Sequence, residues 1–122
     1  MSGRRDDSLL LDDLIDAAHR LIDLGGETLP GTLGAERGTA EMIQWNLLVL
    51  GEATKRMRPE TRARFGDVDW LSLARTRDRI AHHYEDINWY LISEIIADEL
   101  PAMLPRLIDI RDIVRAEFDA AI

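Results

Sequence analysis

Apolar residues recur along this chain at intervals of three and four, the spacing of helices that bury one face. Leu11, Leu14, Ile15, Ala18, Leu21 and Ile22 keep that rhythm, with Asp6, Asp7 or Ser8 placed to cap the start and Gly25-Gly26 to stop it. They predict the first helix. Asp12, Asp13, Asp16 and Asp23 fall between its apolar positions as a solvated face would, and His19 reads as a surface residue. Five glycines and a proline between Gly25 and Gly38 then predict a loop. Thr39 is the expected cap of a second helix. In it Met42, Ile43, Leu47, Val49, Leu50, Ala53 and Met57 cover so wide an arc that two neighbours should touch it. Gly51 within that helix permits close approach of another backbone, and Glu52 beside it is polar.

Pro59 to Phe65 reads as a short helical segment closed by Gly66, after which Asp67 or Asp69 can cap a helix opening at Trp70. A break is expected at Glu85-Asp86-Ile87, with Asn88 capping a last element that carries Ile92, Ile96, Met103, Leu107, Ile110 and Val114 in register. Pro101 and Pro105 should kink or split it near Leu100, since each removes a backbone donor and crowds the preceding turn. No strand-like alternation occurs. The pattern predicts an all-α bundle of four or five helices, one domain over residues 1–122.

One helix breaks its own pattern. Trp70, Leu73, Ala74, Arg77, Ile80, Ala81 and Tyr84 share a helical face, so Arg77 falls where a leucine is expected. An arginine there requires an anion or a shared hydrated interface, because an unpaired buried charge is costly; the alternative is a slightly rotated stripe with Arg77 snorkelling from its edge. Spacing adds a constraint. Arg77 and His82 lie about 140° apart on an ideal helix, and His82 and Tyr84 about 200°. Either the helix ends near His82, or a second copy of the chain completes the site.

Composition narrows the classes of function. The chain has 122 residues, enough for one domain with a core, and no cysteine, which removes disulfides, thiolate nucleophiles and sulfur ligation. With no long apolar run or signal-like N-terminus, a cytoplasmic protein with no membrane segment is expected. A net charge of -8 argues against indiscriminate binding to polyanions. The segment from Lys55 to Arg79, however, holds eight basic residues against four acidic ones, so a polyanion would be drawn to the middle unless those arginines pair with the acidic helices.

A metal site is not expected: His82 and His83 are adjacent and point apart, and no His-Glu-x-x-His or Glu-x-x-His spacing occurs. Ser72 and Ser93 lack the turn context of a nucleophile, and the glycines near residue 31 follow no strand. What is left is chemistry at a phosphate without a cofactor, where arginine offsets phosphoryl charge and imidazole moves a proton.

Arg77-x4-His82-x-Tyr84 resembles the Arg-x4-His-x-Tyr signature of the HepT-like branch of the HEPN superfamily. Gly51-Glu52-Ala53, Trp70, Asp78 and Leu100-Pro101 are similar to further landmarks of that branch, in its order, over roughly residues 40 to 105. His83 departs from it, standing where a small residue is usual. The resemblance implies a helical-bundle toxin that cleaves RNA without metal, as a homodimer with two Arg/His motifs facing one cleft. It implies a minimal nucleotidyltransferase antitoxin that transfers AMP to the motif tyrosine, here Tyr84. Its site residues carry over as His82 for proton transfer, Arg77 for phosphorane charge and Asp78 for orienting Arg77 or the imidazole. Arg75, Arg79 and His83 are then candidates for holding RNA, although the favoured reading of His83 is that it faces solvent one helical turn from Arg79. The competing readings are a non-catalytic module that binds a nucleotide or a nucleotidyltransferase, and a purely structural dimer. Trp45, Trp70 and Trp89 read as core or interface anchors.

Overall fold

α1 (Asp7–Gly25) begins where the Asp6 carboxylate accepts a hydrogen bond from the Ser8 backbone N–H at 3.0 Å. It turns Leu11, Leu14, Ala17, Ala18 and Leu21 entirely away from solvent. The computed structural model describes residues 6–25, 34–83 and 85–121, His83 through its backbone alone. Residues 26–33 of the expected loop, Tyr84 and the His83 side chain lie outside the described residues.

α2 (Arg37–Arg56) starts before Thr39, because its cap is Glu36. The Glu36 carboxylate accepts from the backbone N–H groups of Gly38 (2.9 Å) and Thr39 (2.6 Å) and from the Thr39 hydroxyl (2.6 Å). Two carboxylate oxygens thus satisfy donors that a helix start leaves open, and Thr39 is held by the cap instead of forming it. α2 packs against α1 on one side and α4 on the other, as its wide apolar arc predicts. Met42 is the exception in that arc and is exposed.

α3 (Pro59–Arg64) opens on a proline, whose missing N–H costs nothing in a first turn. Asp7, fully buried, anchors it: one carboxylate oxygen accepts from Arg58 N (3.2 Å), Arg58 Nε (3.3 Å) and Thr61 Oγ1 (2.6 Å). Asp69 caps α4 (Trp70–His83), accepting from Ser72 N at 3.0 Å, while the buried Trp70 indole donates to Phe65 O at 2.9 Å. Trp70, Leu73, Ala74 and Ile80 are buried as expected. Ala81 is not; it is exposed in the last turn of α4. Thr76 is buried in its place, its hydroxyl 2.7 Å from the Leu73 carbonyl and 3.2 Å from that of Leu47 on α2.

Asn88 caps α5 (Trp89–Glu94) through Leu91 N at 3.2 Å, and the chain runs on through a π turn (Ile95–Glu99) into α6 (Leu100–Ala121). In that turn Leu100 N–H donates to Ile95 O, one residue wider than an α turn, immediately before Pro101. The wide turn absorbs the donor and the space that a proline denies the preceding turn. α6 returns along α1. Arg111 Nη1 reaches Asp12 at 2.7 Å and Arg115 also pairs with it, so Asp12 belongs to a helix–helix seam and not to the solvated face.

The result is an all-α bundle in which α4, α2, α1 and α6 stand in packing order, with no strand among the described residues. Leu14, Leu47, Leu50, Leu73, Ile96, Leu107 and Ile110 fill its core, each worth about 1.5–3 kcal/mol when fully buried. Among the described residues no helix is long and apolar enough to cross a membrane.

Candidate functional site

The site is positioned by a helix crossing. A Cβ placed on Gly51 of α2 would lie 2.4 Å from Arg77 Cβ and 2.6 Å from Arg77 N on α4, a separation no side chain tolerates. Glycine therefore lets the two backbones touch there, and the stem of Arg77 occupies the inward face that its spacing predicts. The guanidinium does not stay inside. The side chain is 41% exposed, with Nη1 3.3 Å from Asp78 Oδ1 and Nε 3.6 Å from Glu52 Oε1. Both readings of the stripe are partly met: Arg77 packs inward at its base and pairs with carboxylates as it emerges.

Asp78 is shared. Its Oδ1 also accepts from Lys55 Nζ at 2.9 Å, which ties α4 to α2 a second time. The hydrogen bond from Lys55, with the charges of Lys55 and Arg77 behind it, holds the Asp78 carboxyl below the usual carboxylate range despite partial desolvation. Asp78 is accordingly an anion at neutral pH, suited to orienting a cation and not to donating a proton.

His82 lies elsewhere on α4. The helix continues unbroken to His83, so the ideal offset of about 140° from Arg77 applies. His82 is exposed, and among the described residues no hydrogen bond joins it to Arg77 or Asp78. It shares the outer ridge of α4 with Arg75 and Arg79, which precede it by seven and three residues and are both exposed without an ion pair to a described residue. The structure thus brings together Arg77, Asp78, Lys55 and Glu52 on one side of α4, and Arg75, Arg79 and His82 on another. Tyr84 and the His83 side chain, both singled out by the sequence, are outside the described residues.

The remaining cations of the basic middle segment are partly spent on structure. Arg58 pairs with Asp7, and Arg64 grips Glu117 of α6 through two hydrogen bonds of 2.6 and 2.7 Å. Lys55 is the site residue that sequence reasoning missed. Its signal was present in the charge count, but only the register of α2 against α4 sets it beside Asp78.

Arg77 also walls an open cleft of about 400 Å³ between α1 and α2. Leu10, Leu48, Val49, Ala53 and the exposed indole of Trp45 make it mostly apolar, with Asp13, Glu52 and Arg56 around them. Trp45 is therefore no core residue; Trp70 is buried, and Trp89 packs half-buried against the core. Among the described residues no three carboxylate, imidazole or thiol groups converge as metal ligands would.

Three known sequences or families match the chain. A family model described as ribonuclease HepT-like matches residues 14–110, which include α2, the Gly51–Arg77 crossing and all of α4. A protein of Methanocaldococcus jannaschii, provisionally named an RNase, is 26% identical over 98 residues, covering 80% of this chain and 81% of its own. A second provisionally named RNase, from Caldanaerobacter subterraneus subsp. tengcongensis, is 34% identical over 58 residues, covering 48% of this chain and 52% of its own. No solved structure matches the chain.

Proposed function

The chain belongs to the ribonuclease HepT-like family, and from that premise we propose that it is a metal-independent endoribonuclease toxin acting on single-stranded RNA as a homodimer. The observation that carries this reading is the family match across the whole of α4, the helix that holds a half-exposed Arg77 beside a carboxylate that steers it. In the reaction, His82 takes the proton of an RNA 2'-hydroxyl as that oxygen attacks the adjacent phosphorus. The bond from phosphorus to the 5'-oxygen breaks, and that oxygen takes a proton from a second imidazolium, that of the other copy. Arg77 offsets the charge that gathers on the phosphorane oxygens, where an arginine fork matches the geometry well. The products are a 2',3'-cyclic phosphate and a 5'-hydroxyl. Arg75 and Arg79 supply phosphate contacts along the outer ridge, and His83 is proposed as a further RNA contact.

A cognate minimal nucleotidyltransferase antitoxin is the proposed partner. It attaches AMP from ATP to the Tyr84 oxygen and releases pyrophosphate, adding a charge of about -1 two residues after His82 in the sequence, and that charge competes with RNA phosphate for the motif's cations. Incubating the purified chain with a labelled single-stranded RNA and EDTA tests the activity: cyclic-phosphate products are expected from RNA and none from the matching DNA. Cleavage that requires Mg²⁺ refutes the mechanism. Mass spectrometry after co-expression with the nucleotidyltransferase tests the control; AMP that persists on Tyr84→Phe refutes the assigned acceptor.

A second reading, a non-catalytic module that binds a nucleotide or docks a nucleotidyltransferase, is favoured by one observation: Glu52 and Asp78 already engage Arg77, and His82 stands apart from it. That reading expects nucleotide binding with no cleavage at any enzyme concentration.

A further inference from the structure

α2 carries an aromatic side chain that the core does not use. Trp45 is 66% exposed, and Leu10, Leu48 and Val49 beside it in the α1–α2 cleft are only partly covered. Trp45, Val49, Glu52 and Arg56 recur at steps of four, three and four residues, so they share one face of α2, and all four line the cleft. Arg77 lines it from α4. Arg77 is also the group that meets the scissile phosphate in the reaction proposed above. Gly51, against which its backbone packs, lies six residues from Trp45, about 9 Å along α2. One nucleotide spans a step of that kind between its phosphate and its base.

The charge of the cleft suits a base and not a run of phosphates. Asp13 and Glu52 balance Arg56 and Arg77, so a polyanion gains no net attraction there, whereas a flat, uncharged ring meets a mostly apolar wall with an exposed indole in it. The cleft, of about 400 Å³, is also of the size that takes a small organic group. We propose that Trp45 is the stacking platform for the unpaired base of a nucleotide next to the scissile phosphate, and that the α1–α2 cleft is the pocket for that base. Every base has a π face, so the platform imposes a demand for an unpaired base and not for a sequence. A base held in a duplex stays in its own stack and is closed to it. Seating the base in the cleft sets the attached phosphate at Arg77. The inference rests on the ribonuclease reading above and adds to it a residue that positions the substrate.

A single-stranded oligoribonucleotide with 2'-O-methyl sugars tests it, since it offers bases and phosphates but no 2'-hydroxyl nucleophile. Binding is read by the anisotropy of a dye on the oligonucleotide, and stacking by tryptophan fluorescence, in the parent, Trp45→Ala, Trp45→Phe and Tyr90→Ala. Trp70 is buried and Trp89 partly buried, so a base seated in the cleft quenches Trp45 above the others. The parent and Tyr90→Ala are expected to bind with quenching; Tyr90 is as exposed as Trp45, at 66%, but does not line the cleft. Trp45→Ala should bind about 5- to 100-fold more weakly, as for the loss of one stacked base, and raise KM for cleavage of unmodified RNA. Trp45→Phe keeps a ring, so it should bind close to the parent without the quench. Should Trp45→Ala fail to fold by circular dichroism, Trp45→Leu replaces it, apolar but without a π face. A parent that does not bind, that binds with no quench, or that is quenched as strongly by the same sequence in a duplex overturns the platform, as does a Trp45→Ala chain that binds like the parent. Binding of a mononucleotide as tight as that of the oligonucleotide overturns it in favour of a free-nucleotide site. Sedimentation of Trp45→Ala at a lower mass than the parent overturns it in favour of a contact between copies. Cleavage judges the ribonuclease reading separately: a parent that binds with the quench but never cleaves unmodified RNA loses the activity alone, and one that cleaves with KM unchanged in Trp45→Ala loses the platform alone.

Discussion

Gly51 and Arg77 occupy the same space at different depths: a methyl group on the first would lie 2.4 Å from Cβ of the second. Gly51→Ala therefore forces α2 and α4 apart or displaces the arginine. Overpacking of this kind costs about 1–3 kcal/mol, offset in part by the roughly 1 kcal/mol that alanine gains over glycine inside a helix. A modest loss of stability in urea is expected, with a much larger loss of RNA cleavage because the guanidinium moves. A variant as active as the parent would show that the crossing does not position Arg77.

The guanidinium itself is tested by Arg77→Ala and Arg77→Lys. Removing a group that offsets transition-state charge lowers turnover by about 10²–10³-fold. Lysine keeps the charge but not the planar fork, so it should restore only part of that loss. Both variants should melt close to the parent, as the side chain is 41% exposed and its pairs are screened. Turnover assays read beside melting curves separate this from simple unfolding.

Much of the bundle was legible from periodicity because burying one face of a helix imposes a spacing that survives without knowledge of partners. The wide arc of α2 announced two neighbours, and α1 and α4 are those neighbours. Gly51 announced a close approach, and the approaching backbone is that of Arg77. What was not legible depends on register between distant segments. Asp7 looked like a capping residue, yet it is buried against Thr61, which is 54 residues away. Lys55 and Asp78 carry no spacing signal that joins them, since they meet only where α2 crosses α4. Thr39 lost the cap to Glu36 because the longer acid reaches the same open donors with two oxygens.

Asp7 gives a prediction about stability alone. Asp7→Ala removes the acceptor of Arg58 and Thr61 and leaves their donors facing a buried gap at the α1–α3 junction. Unsatisfied buried groups cost about 1–3 kcal/mol each, so a loss of roughly 2–4 kcal/mol is expected in urea unfolding.

Asp12 gives one about acid. Partial burial raises its carboxyl, but hydrogen bonds and charge from Arg111 and Arg115 outweigh this and hold it below the ordinary value. A carboxyl depressed in the folded state contributes stability that is present above its unfolded pKa of about 3.9 and is lost as pH falls through the folded value. Stability should therefore drop between about pH 4 and the lower folded value. Asp12→Asn should be weaker at pH 7 and show a shallower fall on acidification, measured by urea unfolding at each pH. An equal slope in both chains would assign the acid sensitivity to other groups.

The last prediction concerns which chains supply one active site. Within a protomer the Arg77 guanidinium emerges beside the α1–α2 cleft, whereas His82 stands on the outer ridge of α4, about 140° around an unbroken helix. A phosphate held by Arg77 is then poorly placed for the imidazole of the same chain, and a second copy is the other source of one. Arg77→Ala and His82→Ala homodimers should each be nearly inactive. A heterodimer of the two, isolated through different tags, pairs the intact Arg77 of one chain with the intact His82 of the other. If each site takes one residue from each copy, one of two sites is rebuilt and about half of parental turnover returns. If both His82 groups are needed, one as base and one as acid, turnover stays low, and the pH–rate profile of the parent should then show two limbs. Recovery by mixing that occurs without any heterodimer in sedimentation would refute sharing between chains altogether.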